Sequence, residues 1–426
     1  MSITVFRVLF RMILNNFFVR ISTSAMKFIP YYLISASLIF YSCQKLEPSA
    51  PDADSVMDAP LDGLSPSQSR LFLEGADEFD EIYNSKTGLG PLFVTNSCAS
   101  CHGGDNRGHP FTVLTRFGQS DTTGNTYLHL GGPQLQDKAL PGYQAETLPS
   151  GASSTRLIAP IVSGVGFLEH VPDADLMAMA DESDADGDGV SGVVNYISLP
   201  EWVVPFDHAV SKNGRYIGRF GRKSAAYNLH HQTVMAFSQD MGITTSFMPD
   251  EIQGRPGPSP LPAPEPDISK RSVNAAVFYL QALQHPIQRN ADDPGVRQGA
   301  QIFEQIGCAK CHVPTLKTGH SEIAALSGVE FHPYTDLLLH DMGPELDDGY
   351  TEGSALTSEW RTAPLWGLGL APEAQGGRYF LLHDGRAQSI QEAIYYHGGE
   401  ASASAREFVE LSKSDKDVLL GFLNSL

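Results

Sequence analysis

Two copies of one short pattern constrain this chain more than any other feature. The pattern is C-x-x-C-H, and it occurs as CASCH at residues 98–102 and as CAKCH at residues 308–312. In c-type haem attachment, two thioether bonds join the porphyrin edge to such a turn, and the adjacent histidine becomes the proximal ligand of the iron. The sequence therefore predicts two covalently bound c-type haems, held by Cys98, Cys101 and His102 and by Cys308, Cys311 and His312.

Other uses of paired cysteines explain the pattern less well. A redox pair of thioredoxin type needs no histidine at the next position. A four-cysteine zinc site would have to join pairs from distant parts of the chain and would leave both histidines unused. Two disulfides fit an oxidising compartment. A haem-free exported scaffold therefore stays open as an alternative.

The N-terminal region, residues 1–66, is typical of targeting and tethering segments. We interpret residues 1–25 as an over-extended start, and residues 26–42 as a lipoprotein-type signal peptide with a lysine, an apolar run and a small residue before Cys43. An uncleaved anchor is the alternative. Cys43 would carry the lipid, and residues 43–66, rich in Pro, Asp and Ser, are expected to form a flexible tether.

This organisation predicts a periplasm-facing or cell-surface protein that is attached to a bacterial membrane through its lipid. Attachment of c-type haem outside the cytoplasm agrees with export. The net charge of -20 at pH 7 argues against a nucleic-acid partner. The same charge would favour a basic electron donor.

The surroundings of the two motifs are alike. Amphipathic helices are predicted over residues 67–84 and 296–307, each leading directly into its motif. An apolar stripe predicts a final helix over residues 414–426. Alternating prolines exclude helix from a linker over residues 251–268. We therefore expect a mainly α fold with two cytochrome c-like haem domains, over residues 67–250 and 269–426.

The first of these domains is long for one haem, so a loop-rich insertion is expected within residues 110–250. It contains the string DADGDGVSG, in which three alternate aspartates and a glycine match the first half of a calcium loop. The twelfth position is asparagine instead of a bidentate glutamate, which predicts weak or structural calcium binding. A solvated acidic turn is the alternative. The candidate calcium ligands are Asp184, Asp186 and Asp188.

With both motifs placed, the sequence resembles a known family. It is similar to the bacterial di-haem oxidoreductases, which are distantly related to di-haem cytochrome c peroxidases and are catalogued in part as thiol oxidoreductases. The matching strings span residues 67–426 and include GLGPLF, GVGFLEHVPDADLMAMAD, GRFGRK, QDMGIT, LLLHDMGPELDDG, RTAPLWGLG and LLHDGRAQSIQEAIYYHGGEA.

The resemblance implies a sixth ligand for the second haem. In di-haem peroxidases this ligand lies fourteen residues past the histidine of an HDG motif, and here the count leads from His383 to His397. We therefore expect His312 and His397 to ligate the second haem, with a surface role for His397 as the alternative. Because a six-coordinate iron has no free position, this haem would carry electrons and the first haem would react.

For the first haem, the resemblance implies an open or displaceable sixth position and a residue that moves protons. Glu169, in the string GFLEHVP, is the candidate catalytic residue. Arg219 could bind a haem propionate, with a surface ion pair as the alternative. Trp366 could assist electron transfer, with a buried core position as the alternative. The histidines that compete for the sixth position are His129, His170, His230 and His231.

These expectations predict an exported di-haem c-type oxidoreductase of peroxidase type. A small cytochrome c or a cupredoxin would supply the electrons, and related enzymes suggest a homodimer. The alternative is a non-enzymatic electron-transfer protein in which both irons are six-coordinate. Oxidation of thiol substrates has no support, because every cysteine is already used.

Overall fold

The computed structural model describes residues 57–103, 107–250 and 266–426. The expected signal peptide, Cys43 and most of the proline-rich linker lie outside these ranges. Within them, no helix has both the length and the apolar run needed to cross a bilayer.

The α-helices lie mostly near the two motifs and at the C-terminus. In chain order the described helices are α1 (Pro66–Asp80), α2 (Val165–Glu169), α3 (Asp173–Met179), α4 (Leu229–Met241), α5 (Lys270–Gln281), α6 (Pro294–Gln305), α7 (Ala371–Ala374), α8 (Ile390–Tyr395), α9 (Ser402–Glu410) and α10 (Lys413–Ser425). The predicted helices before each motif and at the C-terminus correspond to α1, α6 and α10 and are confirmed.

The strands are short and antiparallel. They are β1 (Leu92–Phe93), β2 (Leu114–Phe117), β3 (Lys138–Ala139), β4 (Ser154–Leu157), β5 (Tyr196–Ile197), β6 (Ser211–Lys212), β7 (Arg215–Ile217), β8 (Leu316–Lys317), β9 (Glu330–Phe331), β10 (Leu339–Asp341) and β11 (Glu359–Arg361). β1 pairs with β3, β2 with β4, β8 with β9 and β10 with β11, and the order of the remaining sheet is β5-β7-β6.

The expectation of a mainly α fold is only partly confirmed. Helix accounts for 31% of the structure and strand for 11%. Most residues therefore lie in loops and turns. The chain contains 40 glycines and 28 prolines, and both residue types interrupt helices.

The first motif is enclosed by two helices that cross at a glycine. A Cβ atom on Gly75 of α1 would collide with the Ala275 carbonyl oxygen of α5. One turn later, the Phe79 ring lies 5.2 Å from the Tyr279 ring of α5 and 6.0 Å from the His102 ring. The close crossing thus brings an aromatic side chain against the motif histidine.

The second motif is enclosed in the same way by α6 and α10. A Cβ atom on Gly299 would lie 2.5 Å from both the Val418 carbonyl oxygen and the Phe422 Cβ. Phe303, one turn later, lies 5.5 Å from the Phe422 ring and 6.3 Å from the His312 ring. The two halves therefore repeat one local arrangement of two helices, one glycine and one phenylalanine behind each histidine.

This arrangement pairs α5 with a helix of the expected first haem domain. The sequence assigned α5 to the second domain, because α5 follows the proline-rich linker. In the structure the apolar face of α5 is buried with Phe72 and Phe79 of α1. The helix therefore packs with the helix that precedes the first motif, although it follows the proline-rich linker in the sequence. Linker composition could not reveal which partner this amphipathic helix would choose.

Part of the expected tether is also packed. The side chains of Met57 and Leu61 are only 1% and 4% exposed. The Leu61 N–H donates to the Ala282 carbonyl at 2.8 Å, and the Gln284 N–H donates to the Ala59 carbonyl at 2.8 Å. The flexible-tether prediction is therefore wrong for the segment from Met57 onward, because strand-like pairing with the end of α5 holds it.

The helix crossing predicts the effect of a single methyl group. We expect Gly299→Ala to lower the free energy of unfolding by about 1–3 kcal/mol, because the new methyl group overpacks the contact with α10. Gly421→Ala is the matched control, since Gly421 lies on α10 with no atom within 4 Å of its Cβ position. Thermal unfolding of haem-loaded protein measures both. Equal unfolding temperatures for the two variants would contradict the close crossing.

Candidate haem sites

The two C-x-x-C-H motifs form the same turn. In the first, the His102 N–H donates to the Cys98 carbonyl at 2.9 Å, and in the second the His312 N–H donates to the Cys308 carbonyl at 3.0 Å. Gly307 ends α6 with φ at 85°, a left-handed conformation that suits glycine and turns the chain into the second motif. Each turn thus presents two cysteines and a histidine within five residues.

The four described cysteines are free of disulfide bonds. Burial raises the pKa of Cys98 to about 12, of Cys101 to about 11 and of Cys308 to about 12. A catalytic redox thiol needs the opposite, a lowered pKa and a stable thiolate. The environment of these pairs therefore disfavours thiol–disulfide chemistry.

A cavity of about 250 Å³ lies beside the second motif. Cys308, Cys311 and His312 form part of its wall, and His397 contributes another part. The remaining wall is mostly apolar and includes Ile390, Leu419 and Leu423. The structure therefore brings the predicted attachment residues and the predicted sixth ligand to one cavity.

His312 and His397 are spaced like two ligands of one metal ion. Their ring centroids are 6.5 Å apart, and the ring planes are inclined by 40°. Two metal–imidazole bonds of about 2 Å each, with the nitrogen-to-centroid distance of both rings added, span about 6 Å. The separation therefore leaves room for one metal ion between the two rings.

Both rings have their second nitrogen engaged by the backbone. His312 Nδ1 lies 2.9 Å from the Tyr334 carbonyl, and His397 Nδ1 lies 2.7 Å from the Ala393 carbonyl of α8. A carbonyl only accepts, so each Nδ1 carries the proton and each Nε2 keeps its lone pair for a metal. Burial lowers the pKa of His312 to about 4 and lowers that of His397 as well, which keeps both rings neutral.

His340 also lines this cavity and belongs to a charged cluster that the sequence did not reveal. Its Nε2 lies 2.8 Å from Asp336 and its Nδ1 lies 2.8 Å from Glu400. Burial lowers the pKa of His340, but its hydrogen bonds to Asp336, Cys311 and Glu400 outweigh burial and raise it to about 12. His340 is therefore an imidazolium beside the second motif. Only the fold shows this, because its two partners come from separate segments.

Glu400 also holds the acidic loop against the second motif. It accepts hydrogen bonds from the Ser191 hydroxyl at 2.7 Å and from the Ser191 N–H at 3.0 Å. Asp188 of the same loop forms an ion pair with Lys310 of CAKCH at 3.0 Å. The loop-rich insertion therefore contacts the second haem motif directly.

The contacts of the acidic loop with the second motif change the expected set of calcium ligands. Carboxylate oxygens of Asp181, Asp184 and Asp186 lie within 4.8 Å of one another. Asp188 is not part of this cluster, because its side chain is committed to Lys310. Asn195, at the twelfth position, is also committed elsewhere, since its amide donates to the Lys223 and Glu352 carbonyls.

His383, the histidine of the HDG motif, also lines the cavity. Its ring stacks on Trp360 with a centroid distance of 3.7 Å and an angle of 5°. Its Nε2 lies 2.7 Å from Asp348, which also accepts from Thr155 and Arg386. His383 is thus held by stacking and by a carboxylate, and His397 is the histidine that faces His312.

A buried carboxyl group, which the sequence did not reveal, lies near the first motif. Asp240 lies near the end of α4, and its backbone carbonyl accepts from Val94 at 2.7 Å. Burial raises the pKa of Asp240 to about 7, with partial opposition from Arg116. Its charge also raises the pKa of Cys98, which places the carboxyl group close to the motif.

Glu169 connects three helices. It ends α2, its Oε1 accepts from the Leu229 N–H at the start of α4 at 2.7 Å, and its Oε2 accepts from Gln281 of α5 at 2.7 Å. The side chain is buried, and burial raises its pKa. Glu169 therefore favours a proton more than an exposed carboxyl would, while both oxygens hold the helices together.

The four competing histidines have varied surroundings. His170 Nε2 lies 2.7 Å from the Ser321 hydroxyl, and His129 is exposed with Nδ1 3.1 Å from the Thr126 carbonyl. The His231 Nδ1 accepts from the Tyr227 N–H, so its neutral ring carries the proton on Nε2. His230 packs edge-on against Trp202.

Two further residues singled out in the sequence are buried. Arg219 is 1% exposed and pairs with Asp173 and with the Val171 carbonyl. It is therefore part of a buried ion pair, and its contact with a haem propionate stays a prediction. Trp366 is 2% exposed and stacks on His285 with an angle of 15°, in agreement with the alternative of a core tryptophan.

Comparison with known proteins agrees with this geometry. A family model described as "Di-haem oxidoreductase, putative peroxidase" matches residues 152–426. No curated protein gives a significant match. A solved structure of Kuenenia stuttgartiensis hydrazine synthase, pressurized with 20 bar xenon, has 14% sequence identity and a TM-score of 0.37, covering 89% of this chain and 94% of that chain. That likeness is too distant to support an argument. The family match, however, covers more than half of the chain and includes the second motif and His397, and the chain therefore belongs to the di-haem oxidoreductase family.

Proposed function

We propose that this protein is an exported di-haem c-type oxidoreductase of peroxidase type. The family match supports an oxidoreductase with haem cofactors. The observation that carries the finer proposal is the opposed pair His312 and His397, with 6.5 Å between ring centroids in the wall of one cavity with Cys308 and Cys311.

In this proposal the cysteines of each motif hold one haem covalently, and His102 and His312 are the proximal ligands. A bound c-type haem supplies a one-electron redox centre whose potential depends on its axial ligands. His397, which faces His312, would also hold the iron of the second haem and would exclude substrate from it. The second site is therefore proposed to transfer electrons, and the reaction is proposed to occur at the His102 site.

The proposed reaction is the two-electron reduction of hydrogen peroxide. One peroxide molecule, two electrons and two protons give two molecules of water, so the O–O bond breaks and two molecules of a one-electron donor, a small cytochrome c or cupredoxin, are oxidised. Electrons are proposed to enter at the His312–His397 site and to leave at the His102 site. The protons require a buried acid near the reaction, and the raised pKa of Glu169 supports its proposed role as proton carrier.

Three further parts of the proposal rest on the sequence. A lipid on Cys43 would anchor the protein to a bacterial membrane on its periplasmic or outer side. Two copies are proposed to form a homodimer. Calcium is proposed to bind at Asp181, Asp184 and Asp186, whose carboxylate oxygens lie within 4.8 Å of one another, and to stabilise the loop that contacts CAKCH.

The axial pair predicts the effect of changing one ligand. His397→Met is expected to raise the potential of the second haem by about 60 mV or more, because methionine favours ferrous iron and a tenfold change in a one-electron equilibrium is about 59 mV. His320→Met is the control, since the His320 side chain is 81% exposed. Spectroelectrochemical titration measures both. A potential for His397→Met that matches the control would remove His397 from the iron.

The reaction site predicts an asymmetric response to ligands. Pyridine haemochrome and mass analysis are expected to show two haems, with about 1.2 kDa added. Cyanide is expected to change the spectrum of one haem only, and peroxide turnover is expected with a reduced cytochrome donor. Two low-spin haems that ignore cyanide and peroxide would instead identify an electron-transfer protein without enzymatic activity.

Glu169 predicts a change in pH dependence. Glu169→Gln is expected to lower the rate of peroxide reduction per haem by about 10²-fold or more and to alter its pH profile, because the side chain can no longer carry the proton. The hydrogen bonds that Glu169 accepts from Leu229 and Gln281 would also be weakened, which should lower the unfolding temperature. Reduced stability with an unchanged rate and pH profile would leave Glu169 a purely structural role.

A further inference from the structure

Three arginine side chains line the cavity beside the second motif: Arg107, Arg222 and Arg361. The ion pairs formed by arginines in the described ranges involve other residues. These three donate instead to backbone carbonyls. Arg107 donates to Trp366 at 3.2 Å, Arg222 to Ile158 at 3.0 Å, and Arg361 to Gly221 at 3.0 Å.

The three guanidinium groups lie close enough to repel one another. Burial, together with the charges of Arg361 and Arg107, lowers the pKa of Arg222 to about 9. Burial lowers the pKa of Arg107 and of Arg361 to about 10. The negative charges of Asp384 and Asp336 partly oppose this lowering of the pKa, Asp384 at Arg222 and Asp336 at Arg361.

Three buried arginine charges in one cluster destabilise the fold unless an anion neutralises them. Buried charges are normally paired, and an unpaired buried charge destabilises a fold. In addition, the Arg107 Nε is buried and has no hydrogen-bond partner. Arginine binds carboxylates through two parallel N–H donors. The cavity wall therefore has the donors and the charge for carboxylate groups.

We propose that Arg107, Arg222 and Arg361 bind the propionate carboxylates of the second haem. The inference rests on the proposed function, because it needs a haem attached at Cys308 and Cys311. That haem would bring two carboxylates into the cavity that the three arginines line. Within the string GRFGRK the proposal assigns this contact to Arg222, which faces the cavity, whereas Arg219 of the same string is bound to Asp173.

Arg107 gives this contact a second consequence. It follows His102 by only five positions in the sequence, yet its side chain lies in the wall of the cavity beside the second motif. A carboxylate bound by Arg107 would therefore connect the second haem to the segment that carries the first iron ligand.

The test removes one charge at a time and measures the potential of the second haem. Arg107→Gln, Arg222→Gln and Arg361→Gln are each compared with Arg406→Gln, an exposed charge on α9 that does not line the cavity. Loss of a cation near the iron disfavours the ferrous form. Each cavity variant is expected to shift the one-electron equilibrium at least about tenfold toward the ferric form, or about 59 mV, at neutral pH.

The pH dependence supplies an independent measurement. With one arginine removed, the carboxylates should take up protons nearer to neutral pH, so the potential should rise again as the pH falls. Arg222→Lys keeps the charge and is expected to stay within about threefold of the wild-type equilibrium. If every Gln variant that incorporates haem has the same second-haem potential as Arg406→Gln, the proposal is wrong. If no Gln variant incorporates haem, haem incorporation by Arg107→Lys, Arg222→Lys and Arg361→Lys, which keep the charge, would support the proposal. Failure of these three variants as well would contradict it.

Inorganic phosphate separates the propionates from a free anion. If the propionates occupy the three arginines, added phosphate should leave the potential unchanged. A phosphate-dependent potential that disappears in Arg222→Gln would instead assign the arginines to an external anion. Absence of haem from the wild-type protein would refute the proposed function itself. Normal haem content with unshifted variant potentials would refute only the arginine assignment.

Discussion

A close crossing of two helices is the contact on which both haem sites depend. Gly75 and Gly299 allow α1 to approach α5 and α6 to approach α10 with no side chain between the backbones. The phenylalanine one turn later then reaches both the returning helix and the motif histidine. A C-x-x-C-H turn is short and flexible by itself, and the helix pair gives its histidine a fixed wall to pack against.

In the cavity beside the second motif, neutral groups and charged groups occupy different places. Neutral His312 and His397 face each other, and backbone carbonyls orient both rings. Charged groups lie around them, with the imidazolium of His340 between two carboxylates and the three cavity arginines on backbone carbonyls. In a medium of low polarity, each of these charges acts strongly on the potential of a nearby redox centre. The wall of the cavity is therefore suited to setting that potential.

The loop-rich insertion has a clear physical place in this arrangement. Asp188 contacts Lys310 within the second motif, and Glu400 binds both Ser191 and His340. A segment that belongs to the first half of the chain thus stabilises the second haem site. This contact joins the two halves of the described chain within one compact unit, although the sequence suggests two successive haem domains.

The candidate ligand His397 was implied by the family resemblance. The sequence by itself determined the local chemistry: two C-x-x-C-H turns and the amphipathic helices before them. These follow from short spacing and from helical periodicity, which depend on neighbouring residues alone. Only the tertiary structure decided that α5 packs with α1, that Arg219 is committed to Asp173, and that Asp188 binds Lys310. Each of these outcomes depends on which distant segment supplies the partner, and the partner of a charged or amphipathic element is selected by packing of the whole chain.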